Sequence, residues 1–194
     1  MHSPFVFGLV KNGFYRKQPL ITDVKYDPAT GLSNTTLNIL FRVIAYLKSY
    51  KLIVLGEDAA ANAVAETMRQ AAEEINTKIW FYSTYVPVPG GVDIAILTGN
   101  DTSALLPLID QLMGNINNDS IAVIANIHQS AAMEQAWQEI IKDPNVTVSI
   151  DSYHLGFLFF RKAQQKQNFV IRPFRSGVLD AFLGIRTLWG LLLR

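Results

Sequence analysis

The chain has no cysteine. That excludes a disulfide framework and a thiolate metal site, and it fits a reducing cytoplasm, which is the expected location. Charge is sparse as well: 17% of residues are charged, the net charge is +1, and Lys and Arg are scattered. A nucleic-acid surface normally shows a basic stripe, so nucleic acid is not an expected partner. No window of about 20 residues is free of charge, which argues against a membrane-spanning helix. The opening MHSPFVFGLV lacks the basic region and the small-residue cleavage site of a signal peptide. There is no internal repeat and no low-complexity tract. Glycine is scarce where α/β proteins use it most, directly after the first strand.

What is present is a chain of 194 residues, 49% hydrophobic, which is the size and composition of one well-filled domain. Its central stretch is Lys51–Ala61, KLIVLGEDAAA. An apolar strand (Leu52–Leu55) leads into a turn at Gly56 and then into a helix. In open α/β sheets that turn is where a nucleotide-like cofactor is held, on backbone N–H groups at the helix start. Here Glu57, Asp58 and three alanines follow the single glycine.

The other elements follow from periodicity. Residues 3–13 read as a short helix with Phe5, Val6, Leu9 and Val10 inward. Residues 14–34 are a polar link with turn dipeptides at Asp27-Pro28 and Thr30-Gly31. A second helix spans about Asn34–Ser49, with a stripe of Leu37, Leu40, Phe41, Ile44 and Leu47. Strand 1 is followed by an alanine-rich helix over 58–75. Strands are expected at Lys78–Tyr82, Val92–Leu97 and Ser120–Ala125, and more at Val146–Asp151, Leu155–Arg161 and Phe169–Arg172. Thr98–Asp101 reads as a turn and helix cap, leading into a helix that ends near Met113. A further helix spans about Ser130–Lys142. Strands alternating with helices imply parallel βαβ units, and the late strands without an intervening helix imply antiparallel pairing at an edge.

From Asn118 onward, NDSIAVIANIHQSAAMEQAWQEIIKDPNVTVSIDSYHLGFLFFRK, followed by FVIR, resembles the C-terminal half of class I S-adenosylmethionine-dependent methyltransferases. The bacterial O-methyltransferase-like branch is the nearest group, and HSPFVFGLV resembles its opening. The resemblance covers most of residues 2–172. It implies a Rossmann-like methyltransferase fold: a mostly parallel seven-stranded sheet, helices on both faces, and an antiparallel C-terminal strand inserted beside strand 4. It implies S-adenosylmethionine as cofactor. The family's site residues carry over only in part. Of its glycines after strand 1 only Gly56 remains. No carboxylate follows strand 2 before Asp93, and the helix and strand that the family places between strands 2 and 3 are reduced to residues 83–91. At the end of strand 3 the pattern Asp-Gly-Asn-His stands here as Thr98-Gly99-Asn100-Asp101. At the end of strand 4 Asp-Asp-Ile-His-Trp-Ser stands as Ala125-Asn126-Ile127-His128-Gln129-Ser130. A hard divalent cation needs several oxygen ligands, and Asp101 alone is a weak substitute, so no metal site is expected.

Gly56, Glu57, Asp58, Asn100 and Asn126 are thus the candidate cofactor-binding residues, and His128 and Asp101 the candidate catalytic ones. His128 can act as a general base oriented by Asp101 or Asn126, because its pKa lies near neutrality. Alternatively it packs at the start of the helix near Ser130. Glu57 and Asp58 equally suit a helix N-terminus. His154, beside Tyr153, reads as a turn residue.

The expected domain is 1–174, with 1–49 as its helical N-terminal part. Residues 175–194 form an apolar C-terminal helix, with Val178, Phe182, Ile185, Trp189 and Leu192 on one face. Such a helix needs cover. A homo-oligomer contact or packing on its own sheet is favoured over a membrane surface, since it carries few basic residues. Two functions follow. One is a methyltransferase-like protein with an eroded cofactor site, serving as a binding module or oligomeric scaffold. The other is an active O-methyltransferase-like enzyme acting on an unknown small molecule. A different small ligand in a remodelled pocket is a third reading.

Overall fold

A computed structural model describes residues 4–15, 28–56, 59–74, 77–82, 86–162 and 164–172. The expected C-terminal helix lies outside the described residues, as do Glu57 and Asp58. Helix α1 (Pro4–Leu9) runs on into a wider turn over Val10–Phe14, and a 3-10 turn covers Pro28–Thr30. The remaining elements are α2 (Asn34–Leu47), β1 (Lys51–Leu55), α3 (Ala59–Glu74), β2 (Trp80–Phe81), β3 (Ile94–Leu97), α4 (Thr102–Met113), β4 (Ile121–Ala125), α5 (Ala131–Ile140), β5 (Val148–Asp151), β6 (Leu155–Phe159) and β7 (Gln167–Val170).

The strands form one seven-stranded sheet in the order β2-β1-β3-β4-β6-β5-β7. Every pair is parallel except those of β6, which runs antiparallel to both β4 and β5. The expected mixed α/β architecture is therefore present, with its antiparallel strand beside β4. That strand sits inside the sheet rather than at its edge. The last strand, β7, instead joins the edge in parallel with β5. The connection from β5 to β6 is the short turn 152–154, which only an antiparallel return can use.

Strand residues alternate between two core layers, as the pleat requires. Ile94, Ile96, Val123, Ile150 and Phe157 face a layer built from α1, α2 and α3, filled by Leu9, Leu40, Phe41, Val64 and Met68. Ala95, Leu97, Ala122, Ile124 and Leu158 face α4 and α5, where Leu105, Ile109, Met133 and Trp137 pack. Gly156 lets the Trp137 ring lie directly on β6, since a Cβ there would press into the indole. β3, β4 and β6 are buried along their whole length, which explains their unbroken apolar runs.

Because β6 separates two parallel strands, the C-terminal ends of β1, β3, β4 and β5 share one rim with the N-terminal end of β6. Helix N-caps stand on that rim. Ser33 accepts from Thr36 N and starts α2, Asp101 starts α4, and Ser130 accepts from Met133 N and starts α5.

Candidate functional site

At the end of β1, Gly56 has φ +147, a backbone conformation that L side chains rarely adopt. The neighbouring strand end crowds it. A Cβ on Gly56 would fall inside the van der Waals shell of Thr98 Oγ1 and 2.9 Å from Thr98 O. Thr98 is held there by its own amide, which donates to Leu55 O at 2.9 Å, and by its hydroxyl at 3.3 Å from the same oxygen. The space that glycine leaves open is thus taken by a residue of the same sheet.

Asp101 caps α4. Its Oδ1 accepts from Ser103 Oγ at 2.7 Å and from Ala104 N at 2.9 Å. The Ser103 hydroxyl first, and the Ala104 amide second, hold its carboxyl below the usual carboxylate range. Asn100 is approached by Gln129 Nε2, 3.4 Å from its Oδ1.

Asn126, at the end of β4, has φ +55. Its amide donates to His154 O at 2.7 Å, and its side chain donates to Gly31 O at 3.1 Å. The link between the first two helices is thereby fastened over the strand ends. It supplies one wall of a cleft of about 150 Å³ lined by Thr30, Gly31, Thr98, Asn100, Asn126 and Gln129. A second cleft of about 380 Å³ runs along α4 between Gly56, Thr98, Asn100, Ser103 and Leu108. No carboxylate among the described residues lines either cleft. The chain after β2 offers Tyr82, 37% exposed.

His128 belongs to neither cleft. Its Nε2 lies 2.8 Å from Asp151 Oδ2, at the end of β5. A carboxylate only accepts, so in the neutral ring Nε2 carries the proton and Nδ1 the lone pair. Nδ1 is 3.8 Å from Glu134 Oε2 on the first turn of α5. Asp151 is 8% exposed, and its other oxygen accepts from Tyr153 N at 2.8 Å. The Tyr153 ring stands 5.6 Å from the imidazole and 4.9 Å from the His154 ring. The residue that orients His128 is therefore Asp151, rather than Asp101 or Asn126. This pair can fix one tautomer of the ring, with the other nitrogen turned toward Glu134.

Of the sequence candidates, Gly56, Asn100 and Asn126 stand on one rim, and Asp101 serves α4. Sequence reasoning missed Thr98, Gln129 and Asp151 as members of the rim. Asp151 carried a usable signal, the one charged residue of its strand, at the strand's C-terminal end. No three His, Asp or Glu side chains among the described residues cluster as a metal site would. No described helix is long and apolar enough to cross a membrane.

No family model matches the chain, and no curated protein matches its sequence. Among solved structures it is similar to the SAH-bound methyltransferase PaMTH1 of Podospora anserina. The TM-score is 0.46 at 7% identity, over 69% of this chain and 81% of that one. It is also similar to the Mitomycin 7-O-methyltransferase MmcR, with a TM-score of 0.35 at 12% identity, over 70% of this chain and 60% of that one. Likeness at this level carries no chemistry from either protein to this chain.

Proposed function

We propose that the chain is a methyltransferase-like protein whose cofactor position is closed by its own residues, and that it acts as a binding or scaffolding module. The single observation behind this reading is the contact of Thr98 with Gly56. In the fold implied by the resemblance, the glycine after β1 admits the cofactor to the backbone. Here Thr98 takes that approach. The surrounding donors fit S-adenosylmethionine poorly. The cleft between Gly31 and Asn126, at 150 Å³, is below the ~300 Å³ at which small-molecule pockets begin. The larger cleft, at about 380 Å³, offers Asn100 and Ser103 but, among the described residues, no charge for an ammonium, a carboxylate or a ribose.

A thermal-shift titration with S-adenosylmethionine and S-adenosylhomocysteine tests this. A ligand at about 1,000 times its dissociation constant adds roughly 4 kcal/mol, which moves a domain of this size by several degrees. The closed-site reading expects no shift with either compound at millimolar concentration. A saturating shift with both would sink it.

The second reading, an active O-methyltransferase-like enzyme, is favoured by one feature. His128 and Asp151 form an oriented base pair on the same rim. That reading requires transfer of labelled methyl groups that His128→Ala abolishes.

A further inference from the structure

A pocket of about 370 Å³ lies at the end of the sheet opposite the strand-end rim. That volume is above the ~300 Å³ at which small-molecule pockets begin. Its polar wall comes from just before β1, β3 and β4 and just after β6, where Ser49, Asp93, Asp119 and Arg161 stand. Phe5 of α1, with Ile121 and Phe159 of the sheet, supplies an apolar side.

Three of these polar groups keep hydrogen-bonding capacity that the described residues do not use. Arg161 is the first. Its Nη2 stands 3.9 Å from Asp119 Oδ1, beyond hydrogen-bond length. Its guanidinium lies over the Phe5 ring, 4.4 Å from the centroid. That contact holds the group in place without giving its five N–H donors an oxygen acceptor. Asp93 is the second. Its Oδ2 accepts from Tyr50 N at 2.7 Å and from Lys51 N at 2.9 Å, which fixes the carboxylate, while Oδ1 has no donor among the described residues. Ser49 is the third. It is only 4% exposed, and among the described residues its hydroxyl has no partner, where a buried hydroxyl ordinarily has one.

We propose that this pocket binds a small zwitterion, a molecule with an ammonium and a carboxylate on an apolar body, as in a free amino acid. A carboxylate pairs with a planar guanidinium through two parallel N–H donors, and the Ser49 hydroxyl can donate to the same group. An ammonium supplies the donors that Asp93 Oδ1 and the Asp119 carboxylate lack. Charge disfavours simpler ligands. Two carboxylates stand against one guanidinium, so a lone anion meets Asp93 and Asp119, and a lone cation meets Arg161. A zwitterion answers both signs, and its apolar body lies against Phe5 and Ile121. The inference is independent of the cofactor reading, since neither strand-end cleft shares a residue with this pocket.

Calorimetric titration of the full-length protein with two sets of probes tests it. One set is L-leucine with its singly charged analogues isocaproate and isoamylamine. The other, with a longer distance between the charges, is ε-aminocaproate with caproate and hexylamine. At least one zwitterion is expected to bind about tenfold more tightly than both of its analogues, the effect of one charge-assisted contact. In both sets, a carboxylate or an amine that binds as well as its zwitterion would overturn the inference and give the pocket to a simple ion. Failure of both zwitterions to bind at millimolar concentration would overturn it as well.

Substitutions assign the two ends of the ligand. Arg161→Met keeps an apolar contact with Phe5 and removes the charge. In that variant the preferred zwitterion should bind no better than its amine. Asp93→Asn keeps an acceptor for the Tyr50 and Lys51 amides, and there the zwitterion should bind no better than its carboxylate. Ser49→Ala, the mildest change, should weaken the zwitterion about fivefold. A preference for the zwitterion that survives Arg161→Met unchanged would contradict the assignment.

Discussion

The two halves of the strand-end rim use their polar residues differently. At β1 and β3, Gly56 is filled by Thr98 and Asp101 is bound to the first turn of α4. Thr98 packs on Gly56 from the neighbouring strand, and Asp101 caps its own helix. At β4 and β5 polar side chains reach across to other segments. Asn126 reaches Gly31, and His128 reaches Asp151. In the first half, Thr98 crowds the Gly56 turn across the β1–β3 register. The second holds separate segments together through polar contacts and sets the tautomer of one imidazole.

The largest expected effect lies in the first half. Gly56→Ala places a methyl group against Thr98 in a strained backbone conformation and should cost about 3 kcal/mol in chemical denaturation. Adding Thr98→Ala should recover part of that loss. An unstabilised double variant would show that backbone strain alone sets the cost, and a harmless Gly56→Ala would break the comparison.

In the other half, His128→Ala leaves the buried Asp151 carboxylate with one donor fewer and should cost about 2 kcal/mol. A double-mutant cycle with Asp151→Asn should show coupling of about 1 kcal/mol. Additive effects would mean that the two side chains do not support each other. Asn126→Ala should cost about 1 kcal/mol through its left-handed backbone and lost contact to Gly31. Asn126→Gly separates the two causes, since glycine relieves only the backbone.

The smallest effect is that of Asp101. Its folded pKa is depressed, so its contribution is present above the unfolded carboxylate value and is lost as pH falls through the folded value. Asp101→Asn should flatten the acid limb of the stability–pH curve and leave stability near neutrality almost unchanged, because asparagine also caps helices. A loss at neutral pH as large as that of His128→Ala would erase the difference between the two halves.

Much of the fold was legible because burial imposes pattern. The run SIAVIA is continuous because β4 is buried on both faces, and the Leu37–Ile44 stripe marks the inward side of α2. The TGND segment announced a cap, and Asp101 is one. The site was less legible, because its contacts are long-range. His128 and Asp151 are 23 residues apart and meet only once β6 has returned between their strands. The closeness of Thr98 to Gly56 depends on the register of β1 against β3, in which Leu55 stands beside Leu97. The placement of β6 beside β4 came from the family resemblance and not from the pattern of the strands. Three successive strand-like runs show that a reversal occurs, but not that the reversed strand enters the sheet while β7 takes the edge.

The most direct measurement is calorimetric titration of the wild-type protein with S-adenosylmethionine and S-adenosylhomocysteine. A rim closed by Thr98 predicts no binding heat with either compound up to millimolar concentration. Saturable binding in the micromolar range would contradict it and show that the Gly56 turn still admits the cofactor.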